Sequence, residues 1–143
     1  MKNQSDKLLL YECLEILNET IKGTQGQFNS SDSKLKEFLE KNDIILCKYG
    51  KRSIAKVKDK PNYFVYSFDS ESRDKTKSDN AHDLLRHIRN SIAHSLVDKI
   101  KKSKGLFYFK MRDKNKCGNE TMLASIRTDL LKSLIEVVKN AKR

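Results

Sequence analysis

The sequence predicts a mainly α protein with an added β-hairpin, and three observations predict it. Apolar residues recur at helical spacing near both ends of the chain and in its middle. One proline and five glycines in 143 residues leave long stretches without a breaker. Late in the chain, Leu106 to Met111 and Thr121 to Ile126 flank a polar turn holding Asp113, Asn115, Gly118 and Asn119, as hairpin arms do. The length suits one domain, residues 1–143, with a real core.

Taken in order, Ser5 or Asp6 is a candidate N-cap for a first helix to about Ile21. Leu10, Cys13, Leu14, Leu17 and Ile21 form its apolar stripe, and Gly23 and Gly26 end it. Ser31 or Ser33 caps a second helix carrying Leu35, Phe38 and Leu39 and running to Asn42. Residues 43–68 are open between strand and helix. Tyr63, Phe64, Val65, Tyr66 and Phe68 favour a strand by propensity, but so short a run also suits a buried helical turn. Ser70 to Asp79 has no hydrophobic residue and reads as a surface loop. Asn80 to Ile100 reads as one amphipathic helix, with Asn80 as N-cap and Asp83 in its first turn. A basic turn, the hairpin and a closing helix from about Arg127 to Ala141 follow; Leu130, Leu131, Leu134, Ile135 and Val138 face inward there.

The formal net charge is +11, with hydrophobic residues at 37% and charged residues at 34%. Such a balance excludes a disordered chain and points to a polyanionic partner, RNA or DNA first, then an acidic protein or an anionic membrane surface. A lysine-rich habit of the proteome is the plain alternative. Cys13, Cys47 and Cys117 are odd in number and far apart, with no zinc spacing, and are expected as reduced thiols. The N-terminal stretch lacks a signal-peptide pattern, and no run approaches a membrane span, so a cytoplasmic protein is expected.

The central segment carries the chemistry. Leu84, Leu85, Ile88, Ile92 and Leu96 make one stripe. Asp83, His87, Asn90 and His94 cluster on the opposite side of the wheel, expected to be solvent-facing, and Arg89 sits on the flank. Arg89-Asn90-Ser91-Ile92-Ala93-His94 sets an arginine and a histidine with four residues between them, and asparagine directly after the arginine.

This RNSIAH segment, late in a long helix of a small basic domain and followed by a hairpin and a closing helix, resembles the motif of the HEPN superfamily. The resemblance implies a helical bundle that dimerises and brings two motifs into one cleft. It further implies a metal-independent endoribonuclease of the toxin–antitoxin or antiviral kind, without cofactor, and with any antitoxin a separate protein. Arg89 and His94 align with the family's arginine and histidine, and Asn90 with its usual polar residue. Many members have glycine directly after the histidine; Ser95 stands here.

The residue types suit that reaction independently. RNA supplies its own nucleophile, the 2′-OH. A histidine moves protons near neutral pH, and a forked, always charged arginine stabilises the phosphorane. The five-residue offset turns the pair apart by roughly 140° and about 7.5 Å along the axis, so one helix presents it poorly and a two-fold dimer is expected to complete it. Arg86 and His87 are candidate RNA-supporting residues beside Asn90; His82 and His87 read more readily as bystanders than as catalysts. Bland readings stand beside these: Arg89 paired with Asp83, His94 an ordinary helix-end residue, and Tyr63, Tyr66, Tyr108 and Phe109 core rather than base-stacking. The basic residues of 48–60 are an RNA path or a solvated edge. Two other functions remain open: a non-catalytic nucleic-acid-binding or protein-interaction module, and a dimeric structural subunit whose motif holds the interface.

Overall fold

A computed structural model describes residues 2–22, 28–68 and 80–142. Among them lie helices α1 (Gln4–Ile21), α2 (Ser33–Lys41), α3 (Lys51–Val57), α4 (Asn80–Ala93) and α5 (Leu131–Asn140). Between these run strands β1 (Ile44–Lys48), β2 (Asn62–Tyr66), β3 (Val97–Lys101), β4 (Phe107–Lys114) and β5 (Glu120–Arg127). The strands form one five-stranded sheet in the order β1-β2-β5-β4-β3. The fold is therefore α/β, and the expected mainly α bundle is corrected. The hairpin is present as β4 and β5, but it is the centre of a sheet rather than an addition to helices. Gly23, Gly26 and the stretch 70–79 lie outside the described residues.

The open stretch 43–68 resolves into a β1-α3-β2 unit. Its two strands pair in parallel, which requires a crossover, and α3 supplies it. All other pairings are antiparallel. One face of the sheet carries the main core. Phe64 and Tyr66, Phe109 and Met111, and Met122, Ala124 and Ile126 meet Leu10, Cys13 and Leu17 of α1, Leu35 of α2, Leu84, Leu85 and Ile88 of α4, and Leu134, Ile135 and Val138 of α5. On the other face α3 packs Val57 against Tyr63 and Val65. All four aromatics weighed for base stacking are buried.

The caps differ by a residue or two from expectation. Asn3, not Ser5 or Asp6, caps α1, and Asp6 closes a reciprocal capping box from the third position. Asp32 caps α2. Asn80 is already helical. The closing helix begins at Leu131, because Arg127 is still strand. The cysteines are free thiols, and burial pushes the Cys13 thiol up to about 11.

The larger correction concerns the central segment. α4 stops at Ala93, and Val97 to Lys101 is an edge strand. Ser95 takes φ 57°, in the left-handed region. Its N–H donates to Ile92 O at 3.2 Å, and the Leu96 N–H reaches back to Ser91 O at 2.8 Å. These two bonds are the Schellman closure that a C-terminal glycine usually makes. Ser95 therefore performs the turn at a cost in backbone strain. Ser95→Gly is expected to stabilise the protein by about 0.5–1 kcal/mol, the relief of strain exceeding the added freedom of the unfolded chain. Chemical denaturation checks this; an unchanged or lowered midpoint contradicts it.

Candidate functional site

α4 is wedged between α1 and the sheet, so both of its long faces are buried. The apolar stripe Leu84, Leu85 and Ile88 lies in the core as expected. The polar face, expected in solvent, instead meets the end of the sheet. His87 is 1% exposed and Asp113 of β4 2% exposed, with His87 Nδ1 and Asp113 Oδ2 2.7 Å apart. His87 Nε2 lies 2.9 Å from the Ser67 carbonyl oxygen, and the ring stands edge-on to Tyr66. Both ring nitrogens are thus held. This burial corrects the expected place of His87 on a solvent-facing surface.

Asn90 is half-buried and donates from Nδ2 to the same Asp113 oxygen at 3.3 Å. Burial alone raises the Asp113 carboxyl pKa. The bonds from His87 and Asn90, the histidine's charge and the Lys114 N–H outweigh it, and the net pKa falls below the ordinary value. Asn90 meets His94 through the backbone, where the His94 N–H donates to Asn90 O at 2.9 Å.

Arg89 is half-buried on the flank. Its Nε is buried and has no hydrogen-bond partner among the described residues. It does not pair with Asp83; Arg86 does, at 3.6 Å. His94 is exposed one residue beyond α4, at the turn made by Ser95. His82 is buried, near the Ile21 carbonyl and the Phe28 ring. Near its C-terminus the helix therefore carries a buried, unpartnered Arg89 Nε and is followed by an exposed imidazole, with Asn90 held by Asp113.

Beside that terminus lies a cleft of about 300 Å³ lined by Lys2, Lys7, Leu10, Tyr11, Leu14, Ile92, Ser95 and Val97. The Lys2 ammonium also donates to the Val97 carbonyl at 2.6 Å, tying the start of α1 to β3. Leu8 and Tyr11, each 59% exposed, form an apolar pair on the outer side of α1. Among the described residues no group of three His, Cys, Asp or Glu side chains could hold a metal ion, and no helix is long and apolar enough to cross a membrane.

The family profile described as HEPN pEK499 p136 matches residues 7–141. The chain belongs to the HEPN family. The match spans the five helices and the sheet together, far more than the motif segment and the elements after it. HEPN membership is consistent with a nuclease or nucleic-acid-related module, and HEPN domains generally bind RNA and often act as dimers. Neither a curated protein nor a solved structure matches.

Asp113 is the site residue that sequence reasoning missed, having assigned it to the hairpin turn. The signal was present: Phe109, Met111 and Asp113 alternate along β4 and share its buried face.

Proposed function

We propose that this HEPN domain is a metal-independent endoribonuclease of a toxin–antitoxin or antiviral system, with its site completed by a homodimer. The observation that carries the reading is the Arg89 Nε, buried and without a partner among the described residues, on the helix that ends in exposed His94. An unsatisfied buried donor costs roughly 1–3 kcal/mol, and turning the guanidinium outward to a substrate phosphate oxygen offsets it. His94 moves the proton of the 2′-OH or of the leaving 5′-oxygen. Arg89 neutralises the charge that develops on phosphorus. Asn90, held by Asp113, binds a phosphate oxygen or the ring of a facing His94. The partner protomer's copy of the motif supplies the second arginine and histidine. His87 is a positioning residue, acting through Asp113 and Asn90, and Arg86, half-exposed and paired to Asp83, lies at the margin of the site.

Further support comes from the surroundings. The cleft beside Ser95 is of nucleotide size and carries two lysines. Leu8 and Tyr11 give an apolar contact surface next to it, as a two-fold interface requires.

The test is incubation of purified protein with labelled single-stranded RNA, followed by analysis of the ends. New ends that persist in excess EDTA support the reading; loss of cleavage with chelator points to a metal enzyme. A mobility shift without new ends supports the non-catalytic module.

A further inference from the structure

On the sheet face turned away from α4, α3 packs over β1 and β2. The pairing register places Lys110 and Arg112 of β4 on that face, opposite Ser125 and Leu123 of β5. Lys102, just past β3, reaches across it: its Nζ donates to Ser125 Oγ at 3.0 Å and stands 4.5 Å from the centre of the Tyr108 ring. Tyr108 is only 6% exposed, so its ring is a floor under the lysine and not a platform for a base. Asp98, an exposed acid, faces Lys110 from the edge strand. Burial, and then the charge of Lys110, hold the Lys102 amine below its ordinary value, as expected of a cation crowded by a like charge.

The row has a direction. Alternate residues of a strand lie about 6.7 Å apart, so Lys110 and Arg112 form a line of charge parallel to β4. The Arg112 N–H donates to the Leu96 carbonyl at 3.1 Å. Leu96 is two residues beyond His94, so the line ends at the sheet edge to which α4 delivers its histidine. The exposed basic side chains of α3 flank the same face. A flexible polyanion fits a narrow line of cations that turns an edge, and charge complementarity selects it.

We infer that the row Lys102, Lys110 and Arg112 is a backbone track for single-stranded RNA, leading over edge strand β3 to His94 at the end of α4. Its destination rests on the ribonuclease reading, but its existence is a matter of binding alone and is measured separately.

The experiment uses the full chain carrying His94→Ala and a labelled single-stranded RNA of about twenty nucleotides, followed by anisotropy over a salt series. Adding Lys110→Glu and Arg112→Glu is expected to lower affinity at least tenfold and to flatten the salt dependence by about one phosphate contact or more. The charge-matched control is Lys34→Glu with Lys36→Glu, exposed on α2 across the sheet, and is expected to lose much less. Unchanged affinity, or equal loss in the control, overturns the track. Where the glutamate pair melts early, Lys110→Gln with Arg112→Gln gives the same reading at lower strain. Loss of binding to anionic phosphatidylserine vesicles with RNA affinity intact also overturns it, in favour of a membrane. If the unsubstituted protein binds through this row yet never cuts, the proposed function fails and the track stands; if it cuts and the row is irrelevant to binding, the reverse holds.

Discussion

His94→Ala is expected to abolish RNA cleavage while leaving the melting temperature unchanged. The side chain is exposed beyond the last turn of α4, so its removal opens no cavity. Under the proposed function the substitution removes the group that moves a proton in the transition state, worth about 10²–10⁴ in rate. Arg89→Ala is expected to lose about 10²–10³, the range for one donor aimed at developing charge. Its stem is half-buried, so Arg89→Ala also carries a small loss of packing. Arg89→Lys separates the two effects: it retains the stem and a charge but loses the fork. The proposed dimer adds a sharper test. Mixing the two inactive alanine variants should restore part of the activity, because a mixed dimer holds one arginine and one histidine in the same cleft. Single-turnover cleavage before and after mixing measures this. Full activity in either variant refutes the site; no recovery in mixed dimers of verified composition refutes the shared cleft.

The local elements of the fold were legible, and the packing around the candidate site was not. α1 could be read because Leu10, Cys13 and Leu17 repeat at helical spacing with nothing to compete. The hairpin could be read because its arms and turn are local in sequence. β3 could not. Ile92, Leu96 and Ile100 keep the spacing of α4, so periodicity carried the helix on, and the break is a backbone event at Ser95, a residue that seldom adopts that conformation. β1 is five residues with no alternation to mark it, and its pairing with β2 is a tertiary fact. The central place of the hairpin depends likewise on β2 meeting β5 across some sixty positions, which no local pattern encodes. The same limit hid the polar face of α4. A helical wheel distinguishes apolar from polar, but His87 and Asn90 are polar residues turned towards protein, and the position of Asp113 in β4 explains why.

Asp113→Ala is therefore expected to be the most destabilising single change at this site, by about 3 kcal/mol, since it strips a buried imidazole and a half-buried amide of their shared acceptor. For a chain of this length that lowers the melting temperature by roughly 10 °C. The pH dependence follows from the depressed carboxyl. A carboxylate whose folded pKa lies below its unfolded value contributes stability that is present in full above the unfolded value, near 3.8, and is lost as pH falls through the lower folded one. Asp113→Asn should thus weaken the protein at pH 6 and make its stability less sensitive to acid below about pH 4. Asp6, also depressed because the bonds from Lys99 and Asn3 outweigh its burial, has the same sign, so some acid sensitivity remains in the variant. Cleavage should fall as well, through the freed Asn90, and kcat should fall more than KM rises. Denaturation at pH 6 and pH 3.5, with kinetics on the folded fraction, separates the two roles. If Asp113→Asn matches the parent protein in stability at both pH values, the buried Asp113–His87 pair is not what holds α4 to the sheet, and the orientation of Asn90 must come from elsewhere.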